Sequence, residues 1–571
     1  MSTTGYPHIA IIGCGASGIT AALHVREQLG LNSFTIFERN GGPGGVWLEN
    51  TYPGAACDVP SQYYSSASTL NPSWSSHYSG RSEIQAYWAK LHSEQGLDKH
   101  TRYHLECKRA IWSDRANQWT LTFCNGLNDE SIDVVADIII AGIGGFSIPN
   151  MQTDSLPGID TFRGPVFHTS RWNHSIDLRG KRVGVIGNGC SAAQLVPALS
   201  ADPSTEVINF VRTPQWYLRR HNEPFSAWIK WVYRNVPLAN RLARWILLLV
   251  IDMTSPMFHR NGTKLRTKTE KNSAAYIRQT APEKYMDFLI PKFSLGAKRM
   301  IYDPGYLESL HRPNVQLVYN NGITQVTEYG VILKNGETRK LDVIVLATGF
   351  DTVTFLTSMV IRGRNGADLK EVWDKKGGAE AYYCSLVPQF PNLYMLGGPN
   401  SASGFQSHKF TSVISVIFMV ECQVRFVCKV IQHMLQVKAS YVEPTPQADA
   451  RFNSWVQKEL QDTVYGMDKV QSWYKTASGK IHTVWPKSGL AFYWMMMFPK
   501  WDEMEFVGGR RPDATTSFVL AWTALIAAVF GVCTQYSLSH YIKNNSTSTP
   551  TTLGIFEQRF RAVCGMEKEE G

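Results

Sequence analysis

Two stretches of the chain share one hydrophobic pattern. A strand-like stretch over 7–12, apolar from Ile9 to Ile12, runs into a glycine-rich turn, a helical periodicity follows over about 16–28, and a second strand-like stretch occupies 33–37. The order recurs from residue 181, where a strand-like stretch to 186, apolar from Val183, again meets a glycine-rich turn. A short continuous apolar run bounded by glycine fits a strand buried on both faces, and strand–turn–helix–strand order is a βαβ unit. Apolar runs near 137–142, 315–319, 342–347 and 393–396 predict further strands of parallel sheets. Between 215 and about 291 the character changes to helix-forming, rich in Trp and basic residues. The expected class is α/β: two Rossmann-like dinucleotide-binding domains, one interrupting the other, with a helical insertion.

Two apolar segments stand apart. Residues 245–251, bounded by Arg244 and Asp252, are too short to span a bilayer and predict a buried helix. Residues 514–534 are 21 positions without a charge, following Gly508-Gly509-Arg510-Arg511-Pro512. That length predicts a C-terminal transmembrane helix, with a buried terminal helix as the alternative. Lys500, Arg510 and Arg511 before it, against Lys543 after it, place the main body on the cytosolic side of a single-pass protein, with an endomembrane such as the endoplasmic reticulum expected. The polar tail Asn544-Asn545-Ser546-Thr547 holds overlapping glycosylation acceptors.

The turns themselves carry chemistry. They read Gly13-Cys14-Gly15-Ala16-Ser17-Gly18 and Gly187-Asn188-Gly189-Cys190-Ser191-Ala192. Glycine there permits a tight turn and lets a pyrophosphate approach the positive end of the following helix. A charged residue ends the next strand of each unit at one offset: Glu38 is 25 residues past Gly13, and Arg212, followed by Thr213, is 25 past Gly187. A carboxylate accepts hydrogen bonds from a free ribose diol, whereas an arginine pairs with a ribose 2′-phosphate. The opposite signs predict two different dinucleotides, the second phosphorylated; FAD and NADPH are the expected pair. Two ordinary βα turns are the bland alternative, and the matched offsets argue against it.

Composition narrows the classes. The net charge of +10 is scattered, with no Lys/Arg-rich run, so no nucleic-acid partner is expected; anionic cofactors and a membrane surface account for it instead. The ten cysteines form no Cys-x-x-Cys and no zinc spacing, so neither a redox dithiol nor a metal is expected, and the thiols are those of a reduced compartment. No cationic segment precedes the first apolar run, so no signal peptide is expected.

Between the two units lies Phe162-Arg163-Gly164-Pro165-Val166-Phe167-His168-Thr169-Ser170-Arg171-Trp172-Asn173, of the form FxGxxxHxxxW. Gly44-Gly45-Val46-Trp47, then Tyr52-Pro53-Gly54 and Asp58, precede it, and Ala347-Thr348-Gly349-Phe350 follows. Together these motifs resemble those of the Baeyer–Villiger monooxygenases, the class B flavoprotein monooxygenases, over about residues 7–511. The fingerprint usually ends in Pro or Asp and here ends in Asn173, a point at which sulfur- and nitrogen-oxidising relatives differ; Trp172 favours the Baeyer–Villiger branch. Lys298-Arg299 stands ahead of Tyr306-Leu307-Glu308-Ser309-Leu310-His311-Arg312-Pro313-Asn314-Val315, again similar to the family.

The resemblance implies that Arg299 is the active-site arginine, oriented by Asp58, and that Lys298 lies near the NADPH 2′-phosphate. It implies cofactor contacts from Gly45, Val46, Trp47, Asp58, Tyr64 and Gly349, and domain coupling by Phe162, Gly164, His168 and Trp172. By residue type alone, His168 reads as a linker or core histidine, Asp58 as a turn residue and Lys298-Arg299 as a solvated pair. The implied reaction is NADPH-dependent flavin reduction, then transfer of one oxygen atom of O2 through a flavin C4a-peroxide to a ketone, giving an ester or lactone. A bulky lipophilic ketone (terpenoid, steroid or polyketide) is the expected substrate. Rivals are oxidation of sulfur or nitrogen, or hydroxylation, by the same machinery; a two-dinucleotide reductase; and a catalytically silent membrane-bound nucleotide-binding scaffold. The expected division is an FAD-binding domain over 1–150 and 350–511, an NADPH-binding domain over 151–217 and 298–349, a helical insertion over 218–297, the transmembrane helix at 514–534 and a polar tail over 535–571.

Overall fold

A computed structural model describes residues 6–509, except 355, 357, 403–405, 408–411, 414 and 468. Its main unit is Met1–His433 with Ser440–Val507; a second, Met434–Ala439 with Gly508–Gly571, falls almost wholly outside the described residues. The apolar runs form two five-stranded parallel sheets. In the first, Leu393–Met395, Ile138–Ala141, Ile9–Ile12, Phe34–Phe37 and Thr101–Arg102 lie side by side in that order. In the second the order is Val315–Val318, Glu206–Phe210, Arg182–Ile186, Val343–Leu346 and Val166–His168. The central strands Ile9–Ile12, Ile138–Ala141 and Val343–Leu346 are buried at every position, because helices and neighbouring sheets cover both faces. Helix Ala16–Leu29 buries Gly18 to Val25 and stops at Gly30, whose φ of 66° is the left-handed cap that ends many helices.

Other elements fill in around the sheets. Leu105–Ser113, Gln118–Asn125 and Ser131–Ala136 form an antiparallel sheet, with Val360–Arg362 parallel at its edge. Its Trp112, Trp119, Leu121 and Phe123 pack with Ile139 and Met395 of the first parallel sheet in one core. A second core joins Val183, Val185 and Val345 to helix Cys190–Leu199 and to Ile277, Tyr285 and Phe288 of the helical stretch.

Two expectations are corrected. Among the described residues no helix is long and apolar enough to cross a membrane. The longest, Val416–Gln436 with 21 residues, carries Glu421, Arg425 and Lys429 along its length, whereas a span needs about 20 apolar residues. The C-terminal transmembrane helix, and the single-pass membrane localisation that rested on it, is therefore withdrawn; residues 514–534 themselves lie outside the described residues. The segment 245–251 does lie in a helix, Ala239–Asp252, but only one side is buried: Leu248 and Ile251 face inward while Trp245, Ile246 and Leu249 are exposed.

Candidate active site

The first glycine-rich turn and the later Gly44-Gly45-Val46-Trp47 segment, remote in sequence, meet in space. A Cβ on Gly45 (φ 55°) would lie 3.0 Å from the Gly15 Cα, so the two backbones approach closely there and Gly45 has little room for a side chain. Gly13, Gly15, Ser17 and Gly18 thus form a bare turn and first helical turn, with helix Val46–Glu49 opening from Gly45 beside them. Glu38 reaches into the same place. Its carboxylate accepts from the Cys14 amide at 2.6 Å and from the Asn40 backbone and side-chain amides at 2.9 and 2.8 Å. Burial raises its pKa, and these amides act in the opposite direction. Trp47 Nε1 donates to Tyr64 Oη at 2.9 Å, with the rings edge to face.

The Tyr52-Pro53-Gly54 loop crosses to helix Cys190–Leu199. Tyr52 Oη donates to Gln194 Oε1 at 2.7 Å and lies 3.4 Å from the Ser191 Oγ, and Gln194 Nε2 returns a bond to the Ala56 carbonyl at 2.9 Å. This docking delivers Asp58 to Arg299. Both Nε and Nη2 of Arg299 donate to the Asp58 Oδ2, at 3.2 and 2.6 Å, and both side chains are about three-quarters buried. Burial alone lowers the guanidinium pKa; the Asp58 carboxylate outweighs it, with Tyr474 and Cys190 adding to the rise. Arg299 is therefore a fixed, permanent cation. Tyr474, 1% exposed, also takes a hydrogen bond from Arg299, and burial holds its phenol up at about 12. The Cys190 thiol, pushed up to about 11 by burial and then by Asp58, lies against the same guanidinium.

The second turn leads to a cationic pair. Gly187, at φ 116°, lies where a Cβ would sit 2.4 Å from the Ala347 carbonyl, so the turn is pressed against the Ala347-Thr348-Gly349-Phe350 segment. Gly189, by contrast, has nothing within 4 Å of an added Cβ, and Ala192 is buried beneath it. Asn188 Nδ2 donates to the Thr213 carbonyl at 2.7 Å, which ties the turn to the loop bearing Arg212. Lys298 sits 6.0 Å from the Phe293 ring centre, and burial, then the nearby Arg212, lowers its pKa to about 8. Two cations held together beside an open backbone turn make a cradle for a multiply charged anion.

The fingerprint residues divide. His168 Nδ1 bonds Ser170 Oγ at 2.8 Å; its Nε2 lies buried beside the Gly349 backbone, and its ring meets Phe350 edge to face. Burial lowers its pKa to about 4, so it is neutral at neutral pH. Trp172 packs edge-on against Phe167 on the second core. Phe162 belongs to an apolar cluster with Ile208 and Leu341, and a side chain on Gly164 would collide with the Asp342 carbonyl. Those two residues pack the second sheet and are not gathered around Arg299.

Three residues near the site escape a reading of the sequence. Tyr474 is 175 positions from Arg299 and in no motif; only the fold finds it. Cys190 lies in plain view inside the second turn. Arg220 donates to the Cys57 carbonyl at 3.2 Å and lies 5.0 Å from the Tyr78 ring centre, adding a buried cation near Asp58.

The chain resembles known proteins along most of its length. A family model described as flavin-binding monooxygenase-like matches residues 7–247. A Baeyer–Villiger monooxygenase of Streptomyces coelicolor is 32% identical over 489 residues, covering 85% of this chain and 89% of that protein. Among solved structures, OTEMO in complex with FAD and NADP has a TM-score of 0.76 at 25% identity, covering 88% of this chain and 99% of that one. An oxidized steroid monooxygenase bound to NADP has a TM-score of 0.74 at 26% identity, covering 88% and 100%.

Proposed function

The chain belongs to the Baeyer–Villiger monooxygenases within the flavin-binding monooxygenase-like proteins, and from that premise we propose the residues and the substrate with which it works. It is an FAD- and NADPH-dependent monooxygenase. The FAD supplies hydride acceptance from NADPH and activation of O2, so that one oxygen atom enters next to a ketone carbonyl. The first cradle, from Gly13 to Gly18 with Gly45, Val46 and Trp47, holds the FAD pyrophosphate, and Glu38 the adenosine ribose. Their fit rests on the bare backbone where Gly15 meets Gly45. Gly187, Gly189, Ser191 and Ala192 hold the NADPH pyrophosphate, while Arg212, Thr213 and Lys298 take the 2′-phosphate. Tyr64 and Gly349 complete the cofactor contacts.

The observation that carries the catalytic reading is the Asp58–Arg299 pair. Negative charge develops on the transferred oxygen and then on the former carbonyl oxygen. A guanidinium already locked by Asp58 and Tyr474 meets that charge without reorganising. The aromatic side chains of Tyr465, Tyr474 and Tyr302, all buried near Arg299, keep water from the site. His168 and Trp172 couple the two nucleotide units and move no proton.

The substrate is a bulky lipophilic ketone. The aromatic surroundings of Arg299 support this reading; the tryptophans at 228, 231 and 245 do not, since all three are exposed, and the likeness to solved structures is as high for cyclohexanone monooxygenase as for steroid monooxygenase. A panel of steroid, terpenoid and small cyclic ketones with a thioether, given to the purified protein and NADPH, tests it. Lactone from the large ketones is expected; preference for cyclohexanone, or sulfoxide as the main product, overturns it.

Lys298 makes binding of NADPH pH-dependent. Below about 8 the free enzyme holds Lys298 charged and able to pair with phosphate; above it the charge is lost. Because kcat/KM reports the free enzyme's groups, kcat/KM for NADPH should fall as pH rises through about 8. Lys298→Arg should carry that fall to higher pH, and NADH, lacking the phosphate, should not show it. Identical profiles for both nucleotides contradict the assignment.

A further inference from the structure

Helix Ala239–Asp252 buries three polar residues alongside Leu248 and Ile251 and leaves an apolar stripe in water. Its buried positions include Asn240, Arg244 and Asp252, each with a distant partner. The Asn240 side-chain amide donates to the Asn71 carbonyl at 3.3 Å. Arg244 donates to the Ser65 carbonyl and to Glu421, at 2.5 and 2.8 Å, and Asp252 accepts from the Gly489 amide at 2.6 Å. The opposite face is apolar. Leu242, Trp245, Ile246, Leu249 and Met253, spaced as one helical stripe, are between 39% and 78% exposed. Burying a charge is costly even when it is paired, and an exposed apolar stripe in water forfeits roughly 25 cal/mol for each Å² it could have buried. A helix that does both is shaped for surroundings other than water on its outer side.

The stripe does not stand alone. On the preceding helix, Ala227–Asn235, Trp228 and Trp231 are 64% and 57% exposed. Trp245 meets Tyr493 edge-on, and beside it Trp494 stacks on Phe498, both again exposed. Apart from Asp252, which is buried at the end of the second helix, the charges of the two helices have one sign. From residue 227 to 251 there are Lys230, Arg234, Arg241 and Arg244 and no Asp or Glu. With Arg244 buried against Glu421, three cations remain at or near the surface among the exposed tryptophans. A second copy of the same face would set cation against cation. An anionic lipid surface would not: Trp sits at headgroup level, aliphatic side chains enter the acyl boundary and Lys/Arg meet the phosphates.

We propose that this face docks peripherally on an anionic lipid surface, the two helices lying in the headgroup plane. It is independent of which ketone the enzyme takes. The test uses the full chain, sedimented with vesicles of phosphatidylcholine alone or mixed with phosphatidylserine. The protein should pellet with the mixed vesicles and weakly with the neutral ones, and high salt should release it. Trp228→Ser/Trp231→Ser and Leu242→Ser/Leu249→Ser should each weaken partitioning by about tenfold or more, and Lys230→Glu/Arg241→Glu by a similar factor. All three double variants should oxidise a water-soluble ketone at the parent rate, which also reports that they are folded. Failure of the parent to pellet, or double variants that pellet like the parent, overturns the proposal. So does light scattering that finds a parent dimer which the serine variants dissociate, since the face would then join two copies of this chain.

Discussion

Arg299→Ala is expected to bind FAD and accept hydride from NADPH at near the parent rate, yet to form ester at least a hundredfold more slowly, with hydrogen peroxide released instead. The size follows from what the residue holds. Losing one preorganised group that meets developing negative charge in a water-poor site costs about 3 kcal/mol in the barrier. Here the group is fixed on one side by the Asp58 carboxylate, at 2.6 and 3.2 Å, and on another by Tyr474, so its orientation is already set. Asp58→Ala should fall in the same direction by a smaller factor, since the cation stays but swings free. Arg299→Lys should recover only part of the loss, because an ammonium cannot make the same paired bonds. Loss of flavin reduction in step with ester formation would assign Arg299 to hydride transfer or folding instead.

The second large effect concerns nucleotide choice. Arg212→Ala with Lys298→Ala should raise KM for NADPH by about a hundredfold while leaving KM for NADH within a few fold. Each charge-assisted hydrogen bond to phosphate contributes roughly 1.5–3 kcal/mol, and two are removed. Burial, then Arg212, lowers the pKa of Lys298, so Arg212→Ala alone should move the Lys298-dependent pH limit of NADPH binding upward. Equal losses with NADPH and NADH would mean that the pair supports the fold rather than the phosphate.

Much of the fold is legible in the residues alone. The parallel strands announce themselves because a strand covered on both faces has no polar positions to hide the pattern: Ile9–Ile12 and Val343–Leu346 fall within a residue or two of their apolar runs. The antiparallel strands Leu105–Ser113 and Gln118–Asn125 lie outside those runs, although their alternating burial is the usual period-two signal. The Asp58–Arg299 contact comes only with the family likeness, since 241 residues separate the partners. Tyr474 carries no local mark at all. The segment 245–251 misleads for a physical reason. Leu, Ile and Trp normally mark the inward side, but here Arg244 and Asp252, held by distant partners, share that side with Leu248 and Ile251, and Trp245, Ile246 and Leu249 face out. The same apolar-equals-inside rule cannot tell a core from an interface.

Side-chain bonds also tie the two βαβ units to each other. The Tyr52-Pro53-Gly54 loop of the first unit is bonded to Gln194 of the second, so Asp58 reaches Arg299 only while the units stay docked. His168 beside Gly349 makes a second such junction.

The most direct measurement is the fate of labelled oxygen. Purified protein, NADPH and a steroid ketone under 18O2 should give a lactone carrying a single labelled atom, in the ring position beside the former carbonyl, with one NADPH consumed for each. Lactone without label, or NADPH oxidised with no oxygenated product from any ketone or thioether, would contradict the account.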